Sequence, residues 1–223
     1  MSCTKKDKSD WLIIIISIVS LLLSIASIVY THKQTNIDKV NAIPFIYVEE
    51  HSLLGSDGYS AVQKTLSAYN EGGGLKNIEG NICSIVEISY KNKMGEMKKI
   101  SIHLLDYYIA QSKSSKPTGN VISFYGYNNN LKYTDIDNEF ISLRYERNQA
   151  PVIMDLKNIL TLSYKDRFDE KYTMYFTNTQ EDTEDNVTPY LSICKIDGNR
   201  KHRYSLSNLT PSIITKIIEN DDT

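Results

Sequence analysis

Twenty consecutive residues, Trp11 to Tyr30, carry no charge, and this run constrains the chain more than any other feature. A helix rises about 1.5 Å per residue, so such a run covers roughly 30 Å, the thickness of a bilayer's hydrocarbon core. Trp11 and Tyr30 bracket it as interfacial aromatics do. A cleaved signal peptide has a shorter apolar core. The small-residue triplet Ser24-Ile25-Ala26 lies inside the run rather than after it, and Cys3 precedes it, so it is no lipobox cysteine. The expectation is an uncleaved transmembrane helix over residues 11–30, after a short tail (1–10) and before a polar juxtamembrane connector (31–42). Lys5, Lys6 and Lys8 before the span outnumber Lys33 and Lys39 after it, which leans toward an extracytoplasmic domain. Ser17, Ser20, Ser24 and Ser27 fall on one helix face. Small hydroxylated residues let helices approach in lipid, so this face is the candidate for association with a second copy or another helix.

Residues 43–223 read as one domain. Apolar runs are short, and several alternate with period two as half-buried strands do. Ile82, Val86 and Ile88 share one face, and Ile100, Ile102 and Leu104 another. The same pattern recurs at Ile141, Leu143, Tyr145; at Leu160, Leu162, Tyr164; and at Tyr172, Met174, Phe176. A first strand is expected over Ile43–Val48, with a turn at Gly55–Gly58. Asp197-Gly198 between Leu191–Ile196 and Arg200–Leu206 signals a hairpin. Ser112–Asn120, Asn128–Asn130 and Glu181–Asp185 read as loops. One late helix is expected, capped by Thr210, opened by Pro211 and apolar along Ile213, Ile214, Ile217 and Ile218. Sixteen tyrosines and many β-branched residues suit pleated surfaces. The fold class expected is mainly β: an N-terminal transmembrane helix, then an antiparallel β-sandwich with a short C-terminal helix.

Two motifs carry a resemblance. Tyr69-Asn70-Glu71-Gly72-Gly73-Gly74-Leu75-Lys76-Asn77-Ile78 resembles the N-x-G-x-G-x-A-x-N-I strand-and-turn of uncharacterised bacterial single-pass membrane proteins with an immunoglobulin-like β-sandwich domain. Here one residue fewer separates Gly74 from Asn77, and Leu75-Lys76 stands where a small Ala is usual. Tyr164-Lys165-Asp166-Arg167-Phe168-Asp169-Glu170-Lys171-Tyr172 resembles their Y-x-D-x-x-G-x-x-Y hairpin, with Asp169 in place of Gly. Tyr133-Thr134-Asp135 with Phe140 looks like a looser second copy. The resemblance implies an immunoglobulin-like fold and a single-pass topology, and no activity. Without it, the glycines read as turn residues and Asp166 as a side chain bonding its own turn.

Chemistry is sparse. His32, His51, His103 and His202 match no metal pattern, and His103 falls on the polar face of its strand, toward solvent. No nucleophile elbow or phosphate loop is present. Glu181, Asp182, Glu184 and Asp185 lack EF-hand spacing and read as a solvated loop. Lys195, Arg200, Lys201 and Arg203 form a basic hairpin, by default solvated. Cys83 and Cys194 could pair in an oxidising compartment, but two buried free thiols are the favoured reading. Without the three Lys and two Asp of the first ten residues, 22 basic and 25 acidic residues remain, which offers nucleic acid no bulk attraction. Residue usage is that of an AT-rich bacterial genome. No catalytic residue, cofactor or metal ligand is expected. The leading expectation is a membrane-anchored, non-catalytic binding module whose partners are the bilayer, an unidentified protein and, through the serine face, a second copy. The alternatives are a cytoplasm-facing sensor or effector of stress or phage defence, and a membrane-associated hydrolase.

Overall fold

The computed structural model describes residues 6–40, 43–146, 152–195 and 202–221. They form two compact units, Met1–Ile43 and Pro44–Thr223.

The first unit is one helix, α1 (Lys6–Val40). Its segment Trp11–Asp38 is long and apolar enough to cross a membrane by length and composition, a test that a signal sequence also passes. None of that segment is buried. The helix runs on through the polar residues expected as a connector. There Thr35 Oγ1 donates to the Thr31 carbonyl at 2.8 Å and Gln34 Nε2 donates to Asp38 Oδ1 at 3.4 Å, pairs one turn apart.

The second unit is mainly β. Its strands are β1 (Ile46–Leu54), β2 (Ala61–Asn70), β3 (Lys76–Lys91), β4 (Met97–Leu104), β5 (Ala110–Lys113), β6 (Gly119–Tyr125), β7 (Ile153–Lys165), β8 (Lys171–Thr177), β9 (Gln180–Asp182) and β10 (Arg203–Tyr204). Helices α2 (Asn129–Glu146), α3 (Glu184–Cys194) and α4 (Pro211–Asp221) complete it. One sheet has the order β1-β2-β6-β5 and the other β10-β4-β3-β7-β8-β9. Neighbours are antiparallel except β10, which runs parallel to β4.

Alternation drives the packing. Ile46, Val48, Leu66, Ala68, Ile122 and Phe124 of the first sheet meet Leu160, Leu162, Tyr164 and Phe176 of the second. Val86, Ile88, Ile100 and Ile102 of the second sheet instead meet Ile136 and Phe140 of α2 and Ile214, Ile217 and Ile218 of α4. The opposite face of that sheet is covered by α3, where Val187 packs on Cys83, Ile85 and Ile159. Strand β3 is therefore buried on both faces from Cys83 to Ile88, which replaces alternation with a continuous run. Gly80 of β3 makes the two sheets close: a Cβ there would meet Ile122 Cδ1 at 2.6 Å and Phe124 Cζ at 2.8 Å.

The two motif turns are built by single side chains. Asn70 is fully buried and uses its whole hydrogen-bonding capacity. Its Nδ2 donates to the carbonyls of Gly73 and Pro117, and its Oδ1 accepts from the N–H groups of Phe45 and Gly72. It thereby ties the entry to β1, the turn after β2 and the loop before β6. Asp166 Oδ1 accepts from the N–H groups of Phe168 (2.8 Å) and Glu170 (3.0 Å), inside its own turn as expected. Asp169 takes φ of 66°, the left-handed conformation that a usual Gly supplies. Tyr164 and Tyr172 stack across the hairpin at 5.5 Å.

Several expected elements differ. Ile141, Leu143 and Tyr145 lie in α2, not in a strand, and Tyr133-Thr134-Asp135 lies in the same helix, so it is no second hairpin. The helix buries Ile136 and Phe140, four residues apart, and leaves Ile141 and Tyr145 exposed. Its start is fixed by Asn129, read above as loop. That side chain accepts from the Lys64 N–H at 2.8 Å and donates to the Lys64 carbonyl at 3.0 Å, so it borders β2 like a short strand. Leu191–Cys194 end α3 rather than forming a strand, and Asp197-Gly198 lies outside the described residues. Glu181 and Asp182 belong to β9, while Glu184 and Asp185 open α3, where the helix dipole favours acidic residues. The first strand begins at Ile46 and runs to Leu54. Of the Ser112–Asn120 loop, Ser112 and Lys113 belong to β5, and Gly119 and Asn120 to β6. The late helix forms where expected, and Thr210 Oγ1 accepts from the Ile213 N–H at 3.4 Å.

Candidate functional sites

The most distinctive chemistry lies under α3, on the outer face of the second sheet. Cys83 points outward from β3, two residues along from Ile85, which lies opposite His103 of β4 in the register, so Cys83 and His103 are diagonal neighbours on one face. The last residue of α3 is Cys194. It is joined to Cys83 as a disulfide with the Cα atoms 6.1 Å apart, within the usual range for such bonds. The favoured sequence reading of two free thiols is thereby corrected. The two halves of the bond are 111 residues apart, and only the docking of α3 on the sheet brings them together.

His103 is also corrected: it is 8 % exposed rather than solvent-facing. Its ring and the two sulfurs lie within 4.8 Å of one another. Burial first, and then the neighbouring Arg203 charge, pull its pKa down from 6.5 to about 4. Arg203 Nε donates to His103 Nδ1 at 3.3 Å, so the neutral ring carries its proton on Nε2. These three side chains are the one group of metal-ligand types clustered this tightly among the described residues. Two thiolates and an imidazole suit a soft or borderline ion. A ligating imidazole, however, donates from its second nitrogen to an acceptor, whereas here that nitrogen faces a guanidinium. With the sulfurs bonded to each other, the group is a disulfide with a neutral imidazole beside it.

A cavity of about 560 Å³ opens onto this group, lined by Ile82, Cys83, His103, Thr161, Cys194 and Lys195, among others. Cys83 is buried, and Cys194 is half-buried. Farther along the same face, Glu87 of β3 accepts from Lys99 at 2.7 Å and from Lys157 at 3.3 Å. The Lys99 bond holds the Glu87 carboxyl below its ordinary pKa despite burial. Burial works against the Lys157 charge, but bonds to Tyr190 of α3 and to Glu87 outweigh it and raise its pKa. This cluster fastens the middle of α3 as the disulfide fastens its end.

A second concavity, of about 400 Å³, lies where β1, β2, α2 and β7 meet. It is polar, with the ion pair Lys64–Glu50 at 2.8 Å, Asn130, Tyr133, Asp137 and Asp155. Burial raises the pKa of Asp137. Burial also raises that of Tyr133, with Asp137 and Asp155 adding to it. These groups can hydrogen-bond a polar ligand, and carboxylates predominate among the charges.

The other sequence candidates are scattered. Ser17, Ser20, Ser24 and Ser27 lie exposed along α1; Ser17 Oγ donates to the Ile13 carbonyl at 2.9 Å and Ser24 Oγ to that of Ser20 at 2.8 Å. His32 is exposed on α1. His51 is exposed on β1, 2.9 Å from the Tyr69 hydroxyl and 3.4 Å from Glu49. Of the basic hairpin, Lys195 lines the larger cavity and Arg203 bonds His103, while Arg200 and Lys201 lie outside the described residues. No family model and no curated protein matches this chain.

Proposed function

We propose that this protein is a single-pass, membrane-anchored binding module with an immunoglobulin-like domain on the extracytoplasmic side. The observation that carries the anchoring is α1. It is unbroken from Lys6 to Val40, passes through Ser24-Ile25-Ala26 without leaving helical geometry, and exposes its apolar side chains over a length that matches a bilayer. In water such a surface would be costly, whereas in lipid it is the favoured one.

The disulfide supports the extracytoplasmic side. Such bonds persist in oxidising compartments and are rare in the cytosol, and the lysine bias before the span leans the same way. The strand order supports the immunoglobulin-like reading. β1-β2-β6-β5 facing β4-β3-β7-β8 matches the A-B-E-D sheet and the G-F-C sheet extended by C′. On that reading α2 is an elaborated E–F connection, and β9, α3, β10 and α4 follow strand G.

Binding rests on the polar concavity, whose Glu50, Lys64, Asn130 and Asp137 offer charges and hydrogen bonds to a polar ligand. The lipid bilayer and a protein partner are the interactions this architecture serves, and the serine face of α1 is the surface for association within the membrane.

The test is topology in cells. A reporter at the C-terminus, with protease added to intact cells, should report an external domain, and the full-length chain should fractionate with membrane. Cytoplasmic reporter activity would transfer the protein to the sensor class. A soluble chain lacking its first thirty residues would remove the anchor.

A further inference from the structure

We infer that the Cys83–Cys194 pair is a thiol–disulfide exchange centre, opened by a substrate thiol that enters the adjoining 560 Å³ cavity. A disulfide that serves only as a staple needs neither access nor a polar neighbour. This one has both. Its two sulfurs line a cavity, a ring nitrogen of His103 lies within 4.8 Å of them, and the cations Lys195 and Arg203 stand nearby.

The two sulfurs are unequal. Cys194 is half-buried at the end of a helix, and Cys83 is buried inside a central strand. A substrate thiolate therefore attacks the Cys194 sulfur. The Cys83–Cys194 bond breaks, a bond from the substrate sulfur to Cys194 forms, and the electron pair leaves on Cys83. Positive charge and a hydrogen-bond donor stabilise a leaving thiolate. Arg203 donates to Nδ1 of His103, so the neutral ring holds its hydrogen on Nε2, where it can serve as a hydrogen-bond donor while remaining on the ring. A second thiol of the same substrate then attacks the substrate sulfur of the mixed disulfide and releases Cys194 as a thiolate. In sum a dithiol loses two electrons and two protons and becomes a disulfide, and the protein's pair gains them. Exchange with a second, oxidised disulfide restores the starting state. The substrate class is a thiol, supplied either by a small molecule or by a cysteine-bearing polypeptide.

This inference rests on the same disulfide as the proposed function, but not on the side of the membrane, because its test uses purified protein. The full chain in detergent is mixed with glutathione, or with a peptide containing two cysteines, and opening is followed by alkylation and mass. Opening in the native protein should be at least as fast as in the same protein unfolded in urea. H103F should slow it about tenfold, the loss of one hydrogen bond to a charged group, with an unchanged circular-dichroism spectrum. C83S leaves Cys194 as a free thiol and is therefore treated with glutathione disulfide or the oxidised peptide. Cys194 should attack that disulfide, release one substrate sulfur as a thiol and retain the mixed disulfide that Cys83 would otherwise resolve. An adduct with glutathione alone, or with the peptide alone, identifies the source. Slower opening in the folded protein than in urea, for both thiols, overturns the inference and leaves the bond as a staple, even if C83S does not fold.

Discussion

Replacing both Cys83 and Cys194 by serine should cost the domain about 3–5 kcal/mol of stability. The figure follows from the loop that the bond closes. With the two cysteines 111 residues apart, the chain-entropy relation gives about 5 kcal/mol at 25 °C. Losses on removing native disulfides from small domains, about 2–5 kcal/mol, set the lower part of the range. For a domain of this size that corresponds to a fall of about 10 °C in Tm. The measurement is urea unfolding of the full chain in detergent, followed by far-ultraviolet circular dichroism. The single tryptophan, Trp11, lies in α1, so tryptophan fluorescence would follow the wrong unit. Reduced wild-type protein should unfold with the double variant, since both lack the same constraint. Hydrogen exchange should show the loss first in α3, which the bond pins at its C-terminal end. If oxidised wild type, reduced wild type and double variant unfold within about 1 kcal/mol of each other, the loop-closure reasoning fails.

Four further outcomes are expected. The His103 value near 4 lies below its ordinary 6.5, so the unfolded chain takes up the proton first: stability is complete above about pH 6.5 and falls by about 3 kcal/mol as pH drops toward 4. H103F should remove that portion of the slope in pH-dependent melts, and a parallel slope would refute it. N70A strips partners from two N–H groups and two carbonyls and should cost about 3 kcal/mol by urea unfolding. G80A forces a methyl against Ile122 and Phe124 and should cost about 1–3 kcal/mol, with G80V worse. Asp137 has a raised pKa, so its ionisation disfavours the folded state as pH rises past its ordinary value. D137N should therefore raise Tm at pH 7 relative to wild type, and the difference should vanish at acid pH.

The parts of this fold that read well from sequence are those fixed by neighbours. Leu160, Leu162 and Tyr164 alternate because β7 turns one face to the first sheet and the other outward. Thr210 and Pro211 announce α4 within four residues, and Asp166 builds its turn from Phe168 and Glu170. The failures occur where a distant partner decides. In Ile141–Tyr145 a two-residue alternation is real, but Asn129 has already committed the chain to a helix by bonding Lys64, 65 residues earlier. Leu191–Cys194 has apolar residues enough for a strand, yet it continues a helix whose Val187 and Tyr190 need the face of β3 and β7 to pack on.

The disulfide group shows how much of a site can be computed from local pairing and where the computation stops. Once the turn between Lys91 and Met97 is recognised, the antiparallel register follows: every β3–β4 pair sums to the same value, so Ile85 faces His103 and Cys83 lies diagonally beside it. Residues on one parity share a face. Cys83 and His103 are therefore near neighbours on the outer face by sequence arithmetic alone. What arithmetic lacks is the sign of that face. A strand with one solvated side would leave His103 in water with an ordinary pKa and Cys83 as a free thiol. Burial of both sides, supplied by α3 roughly a hundred residues later, turns the histidine neutral and brings Cys194 to Cys83. The continuous apolar stretch of β3 carried that information already. Cys83, Ile85, Val86 and Ile88 fill both parities, and a strand with both faces apolar requires a cover on each. Searching downstream for an amphipathic segment that carries the remaining cysteine leads to Val187–Cys194 and to little else.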